Sequence, residues 1–217
     1  MKILVSLETK QSLDLAERIK DYVDGFKINH LMWDEIINWP KSWNTELFVD
    51  FKLWDTPNTV ETVVKKIIDR GGTMASICAH NSQDTFERLK NLSADIKLVG
   101  VASLTSWDLE TERAVTNRIS YDVWNLAMNK LRRYNFQHLV CPVTDLKLIQ
   151  SIDFSGPEKF SYICPGIVFE KETSGQTRTG SPKEAKDGGA NYIVLGRTVT
   201  EAENPNEVLV KIKGGLP

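Results

Sequence analysis

Short hydrophobic runs alternate with longer amphipathic stretches along the whole chain. Residues 2–8 read as a buried strand, and Leu15, Ala16, Ile19 and Val23 then share one helical face that Gly25 ends. Residues 25–29 predict a second strand, with a short helix near Met32–Ile37. In the third strand Leu47, Val49 and Phe51 alternate with Phe48, Asp50 and Lys52, so the last three share a face. Pro57 suits a first helical position, and Val60, Val63, Val64, Ile67 and Ile68 recur at helical spacing up to Arg70 and the terminator Gly71-Gly72.

The alternation continues. Strands are predicted at residues 74–79, 96–103, 136–141, 160–164 and 192–195, and helices at 84–92, 119–133, 144–152, from 182 to 187, and at 206–213. The connection after the fifth strand reads as long and polar, and residues 165–181 as a loop rich in Gly and Thr. Eight strand–helix units without a compositional break imply a parallel sheet with right-handed crossovers. The expected fold is α/β, a single-domain (β/α)8 TIM barrel over residues 1–217. An open doubly wound sheet is the alternative, but no Gly-x-Gly-x-x-Gly follows the first strand and no Walker-type loop occurs.

Composition adds exclusions. With 27 Lys plus Arg against 29 Asp plus Glu, the net charge of -2 speaks against a general attraction to nucleic acid or an anionic membrane. Cys78, Cys141 and Cys164 lie in or beside apolar runs without CxxC spacing, as expected of buried thiols in the cytoplasm. No apolar run approaches a membrane span, and residue 1 leads directly into a strand, so neither a signal peptide nor an anchor is expected.

The chemistry gathers around the third strand. Asp50 and Lys52 point the same way at a strand end, just before a helix, where α/β proteins keep their reactive groups. A surface ion pair on an edge strand is the plainer reading. The loops after strands seven and eight carry Cys164-Pro165-Gly166-Ile167 and Leu195-Gly196-Arg197-Thr198. Barrels of this type bind phosphate at these two positions: glycine lets backbone N–H groups approach an anion, and Arg197 adds a fork of donors. The loop from Val168, with Gly175 and Gln176, suggests a lid, and Gln176 could donate to a phosphate without adding charge.

With these residues in place, the chain resembles the orotidine 5'-phosphate decarboxylase family. The resemblance rests on Asp50-x-Lys52-x-x-Asp55-x-Pro57-Asn58-Thr59, with Asp24-Gly25-Phe26-Lys27, Leu104-Thr105-Ser106, Pro165-Gly166-Ile167, Gln176-x-Arg178 and Gly196-Arg197 in order along nearly the whole chain. It implies decarboxylation of orotidine 5'-phosphate to UMP without metal or cofactor. Lys27, Asp50, Lys52 and Asp55 would form an alternating array at the scissile carboxylate, Lys52 stabilising the C6 carbanion and donating the proton. Asp55 and Thr59 would reach the neighbouring subunit's site, which implies a homodimer. Thr105 and Ser106 would meet the pyrimidine, Gln176, Gly196 and Arg197 would hold the 5'-phosphate, and Glu8, Thr59 and Pro165 would also belong to the substrate-binding set. Two positions depart from the family pattern: Glu8 stands where a ribose-binding Asp is usual, and Val168 where many bacterial relatives have Arg.

Three rival readings have distinct signatures. A magnesium-dependent sugar-phosphate decarboxylase would offer Glu at the position of Lys27. A metal-dependent epimerase would gather histidines at strand ends, where His30 and His80 could lie, whereas His138 falls inside strand six. A non-catalytic nucleotide-binding relative would bind UMP without releasing CO2.

Overall fold

The computed structural model describes residues 1–9, 12–153, 159–169 and 178–215. Eight parallel strands close into a barrel: β1 (Lys2–Leu7), β2 (Gly25–Ile28), β3 (Glu46–Leu53), β4 (Met74–Cys78), β5 (Lys97–Val101), β6 (His138–Val140), β7 (Ser161–Ile167) and β8 (Tyr192–Leu195). They pair in chain order, and β8 returns to β1. The helices are α1 (Ser12–Ile19), α2 (Pro57–Asp69), α3 (Gln83–Lys90), α4 (Leu109–Thr116), α5 (Ser120–Arg133), α6 (Leu146–Asp153), α7 (Pro182–Asp187), α8 (Arg197–Thr200) and α9 (Pro205–Gly214). The expected (β/α)8 barrel is therefore the observed fold.

Two packing layers explain the hydrophobic pattern. Leu47, Val49 and Phe51 of β3 belong to the large cluster between strands and helices. Phe48 belongs to a second cluster inside the barrel, with Leu4, Met74, Val99, Val140, Ile163 and Val194. The alternation along β3 thus separates the two layers. At the N-terminal end of the barrel, Glu46 Oε1 accepts from Lys2 at 2.6 Å, Lys97 at 3.0 Å and the Tyr192 hydroxyl at 3.2 Å. This ionic cluster lies at the end of the barrel opposite to Asp50 and Lys52.

Three local expectations change. In place of a helix near Met32–Ile37 there are 3-10 turns at His30–Met32, Glu35–Asn38 and Lys41–Trp43. The driving contacts are aromatic: Trp39 and Trp43 pack on Phe26 at 5.6 and 5.9 Å, and Trp33 packs edge-on to Phe51 at 5.3 Å. Pro40 also interrupts the segment, because it has no N–H to continue a helix. The connection after β5 contains α4, whose N-terminus is capped by Asp108 accepting from Thr111 N at 2.7 Å. Its inward residue is the charged Glu112, so hydrophobic periodicity does not reveal it. The third is α8, a short turn directly after Gly196.

Candidate active site

The two central strands supply a buried charge array. Lys27 of β2 and Asp50 and Lys52 of β3 all open into one cavity of about 210 Å³ at the C-terminal end of the barrel. Lys52 Nζ donates to Asp50 Oδ2 at 2.8 Å, and Lys27 Nζ lies 3.9 Å from the same oxygen. The side chains of Lys27 and Asp50 are each only 12% exposed, and that of Lys52 is 40% exposed. The plainer reading of Asp50 and Lys52 as a surface pair on an edge strand is excluded, because β3 is paired on both sides.

The backbone at Lys52 is unusual. Its φ of 49° is left-handed, and the β3–β4 register shifts between Val49 and Leu53. A non-glycine residue held there costs roughly 1–3 kcal/mol. The Ser76 hydroxyl accepts from Lys52 N at 2.7 Å and holds the bulge in place. Regular alternation alone would not specify this geometry; the bulge sets the direction of Lys52 at the strand end.

The electrostatics follow from burial. Burial works against a charge on Asp50, but the Lys52 and Lys27 ammonium groups, with hydrogen bonds from Lys52 and Ser76, outweigh it and hold the carboxyl below its ordinary range. Asp50 Oδ1, also buried, makes no hydrogen bond of normal geometry. For Lys27, burial pushes the pKa down more than Asp50 and Glu8 push it up, and Lys52 adds to the lowering. The Asp50 carboxylate is thus the largest influence favouring the charged form of Lys27.

Around this array the cavity is lined by Val101, Ser103, Leu104, Thr105, Ser106 and Val140 on the β5–β6 side, and by Ile163, Pro165 and Val194 on the β7–β8 side. A second cavity of about 630 Å³ shares Lys27, Pro165 and Val194 with it and is lined further by Ser6, Glu8, Gly166, Gly196 and Arg197. The two spaces meet at Lys27 and Pro165. Gly166 has φ 73°, a conformation glycine adopts without strain, at a register shift in β7. At Gly196 an added Cβ would meet nothing within 4 Å. Contacts within the protein do not require glycine there, whereas a ligand approaching the backbone would.

Glu8 lies at the rim, with Oε1 accepting from the Ser6 hydroxyl at 3.2 Å and 3.9 Å from Lys27 Nζ. Ser6 and Ser103 are cavity residues that the sequence reading did not single out: isolated serines at strand ends carry no motif. Arg178 does not face the second cavity. It is buried in ion pairs with Glu112 at 3.1 Å and Asp145 at 2.8 Å. Asp55 and Thr59 are exposed and line neither cavity. Asp55 Oδ1 accepts from Thr56 N at 2.5 Å, and the Thr59 hydroxyl lies 2.9 Å from that of Thr56. Gln176 falls outside the described residues.

The histidines do not converge. His30 stacks on Phe51 at 4.5 Å, His80 lies 3.0 Å from the carbonyl of Ala102, and His138 begins β6 at the opposite end of the barrel. Among the described residues, no three His, Cys, Asp or Glu side chains are grouped to hold a metal ion. No described helix is long and apolar enough to cross a membrane.

Fold and site together define a (β/α)8 barrel whose C-terminal cavity holds a lysine–aspartate cluster from its second and third strands. The family model described as "Orotidine 5'-phosphate decarboxylase / HUMPS family" matches residues 1–212, and the chain belongs to that family. It is 32% identical over 219 residues to the orotidine 5'-phosphate decarboxylase of Malacoplasma penetrans, covering 95% of this chain and 91% of the relative. With that of Streptococcus gordonii it shares 30% over 194 residues, 87% of this chain and 83% of the relative. The crystal structure of the Lactobacillus acidophilus orotidine 5'-phosphate decarboxylase superposes with a TM-score of 0.80 at 22% identity, covering 99% of this chain and 98% of the other, which attests the shared fold.

Proposed function

We propose that this protein removes CO2 from orotidine 5'-phosphate to give UMP, in pyrimidine biosynthesis in the cytoplasm. The observation that carries the reading is the Lys27–Asp50–Lys52 array opening into a small cavity that shares Lys27, Pro165 and Val194 with a larger one lined by Gly166, Gly196 and Arg197. The smaller space suits a pyrimidine ring, and the larger a ribose and phosphate. Lys27 also favours this reading over a magnesium-dependent sibling, whose metal site needs a carboxylate where the ammonium stands.

In the reaction the C6–carboxylate bond breaks and its electron pair stays on C6. No ring carbonyl is conjugated with that pair, so the site must stabilise it electrostatically. Lys52, adjacent to Asp50, presents an ammonium to the forming carbanion and then transfers a proton to C6. Asp50 orients Lys52 and places an opposite charge beside Lys27. It also crowds the substrate carboxylate, but two unit charges about 4 Å apart at an effective dielectric near 20 interact by only ~4 kcal/mol. The largest enzymatic accelerations require on the order of 20 kcal/mol, so stabilisation of the transition state, supported by binding of the remote phosphate, carries the larger share.

The reading includes a homodimer with shared sites. Asp55 and Thr59 are exposed beside Trp54, itself 72% exposed, and a second copy seated there would bring Asp55 to the neighbouring array. Purified protein mixed with orotidine 5'-phosphate, with chelator present, should show ultraviolet loss of substrate and appearance of UMP. Lys52→Ala should abolish turnover while leaving UMP binding measurable. Absence of turnover in the unmodified protein, or near-normal turnover in Lys52→Ala, would refute the assignment.

A further inference from the structure

The pairing of β3 with β4 is interrupted where the charge array sits. Phe48 and Val49 pair with Met74 and Ala75, but the next pair is Leu53 with Ile77. Asp50, Phe51 and Lys52 therefore stand opposite Ser76 alone, in a bulge where the ladder cannot serve every peptide group. Buried peptide groups need partners, so side chains must supply what the neighbouring strand does not. Two of them do. The Ser76 hydroxyl accepts from Lys52 N at 2.7 Å. Asn81 Nδ2 donates to Leu53 O at 2.7 Å and to Cys78 O at 3.0 Å. The turn at Lys52 is thus gripped just before and just after the residue itself.

Ser76 and Asn81 are both buried, and neither lines either cavity. Asn81 Oδ1 is buried without a hydrogen-bond partner among the described residues, so the side chain sits there for what its NH2 holds. The loop that carries Asn81 is tied to α5 by Lys130, whose Nζ donates to Ala79 O at 3.0 Å and Asn81 O at 3.1 Å. A non-glycine residue at φ 49° relaxes toward an ordinary conformation once such bonds are lost. Asp50 fixes the far end of Lys52 at 2.8 Å, but only a fixed backbone decides where the long side chain starts. We propose that Ser76 and Asn81 are positioning residues for the reaction, acting through the Lys52 backbone turn to aim its ammonium at the carbon that is protonated. The inference rests on the decarboxylase reading above. Neither residue meets the substrate, so both should govern turnover and leave ligand binding to the groups that line the cavities.

The test combines steady-state turnover of orotidine 5'-phosphate, calorimetric affinity for UMP and amide hydrogen exchange, in the intact protein and in Ser76→Ala, Ser76→Thr and Asn81→Ala. Ser76→Ala should lower kcat by about 100-fold, the scale set by misplacing a reacting group by about 1 Å, while KM and UMP affinity stay close to normal. Asn81→Ala should lower kcat by about 10-fold, the equivalent of one ordinary hydrogen bond, with the same split. In both variants the amides of residues 50–54 should exchange faster while those of β1 and β2 keep their protection, a pattern that general loss of stability would not produce. Ser76→Thr restores the hydroxyl and should recover most of kcat. Should Ser76→Ala fail to fold, Asn81→Ala decides by the same readouts. Undiminished kcat, or a loss of UMP affinity as large as the loss of kcat, overturns the inference while the decarboxylase reading stands. A Ser76→Thr chain that binds UMP normally yet is as slow as Ser76→Ala does the same. An intact protein that binds UMP but releases no CO2 from orotidine 5'-phosphate refutes the decarboxylase reading and the inference with it.

Discussion

Replacing Asp50 by Asn keeps the size of the side chain and removes the one negative charge between two ammonium groups. At an effective dielectric near 20, the Asp50–Lys52 contact at 2.8 Å is worth about 6 kcal/mol of attraction and the Asp50–Lys27 contact at 3.9 Å about 4. Most of that does not appear as lost stability. Asp50 no longer bears the cost of burying a charge, and Lys27 loses the main influence that opposes its lowering by burial. The remaining penalty should be about 3 kcal/mol, at the lower edge of what breaking a buried pair costs. Catalysis should suffer more, because Lys52 loses its orienting partner and Lys27 its main counter-charge. A fall in kcat of about 1,000-fold corresponds to ~4 kcal/mol of lost transition-state stabilisation. KM for orotidine 5'-phosphate should not rise, since a negative charge facing the substrate carboxylate has been removed, and affinity for UMP should change little. Urea unfolding, steady-state kinetics and UMP titration measure the three effects. A variant that turns over normally, or one that is more stable than the parent, would show that the array does not hold the lysines as described.

Three further predictions address other parts of the molecule. Arg197→Ala should weaken UMP by about 100-fold while leaving uridine unchanged, because a charge-assisted bond to phosphate contributes roughly 1.5–3 kcal/mol; equal affinity for UMP before and after would remove Arg197 from the anion site. If Asp55 serves the neighbouring site, a mixture of Lys52→Ala and Asp55→Ala chains should recover activity that neither shows alone, up to about a quarter of normal, since random pairing makes half the dimers mixed and each holds one intact site; no recovery after subunit exchange would refute sharing. Burial, aided by the Lys97 charge, lowers the His138 pKa from 6.5 to about 4. A depressed pKa contributes stability that is fully present above pH 6.5 and is lost as pH falls toward 4, on the order of 2 kcal/mol once partial exposure is allowed for; His138→Gln should unfold with a shallower pH dependence over that window, and an identical dependence would refute the assignment.

The hydrophobic pattern by itself determined the eight strands, their parallel order and the two layers around β3, because a strand buried on both faces and a helix buried on one leave different periodicities. Motif spacing also placed Asp50 and Lys52 together, and set Gly166 and Gly196 at neighbouring strand ends. Other features required the tertiary structure. The 3-10 turns around Trp33, Trp39 and Trp43 arise from aromatic packing on Phe26 and Phe51, which local propensity does not encode. Helix α4 escapes a periodicity reading because its buried residue is the charged Glu112, whose partners Ser103, Ser120 and Arg178 come from scattered parts of the chain. The left-handed turn at Lys52 depends on Ser76, 24 residues away, to accept its N–H. Short-range order is written in the alternation of side chains; the direction of a charged group and the state of a hydroxyl are set by whatever the closed barrel brings against them.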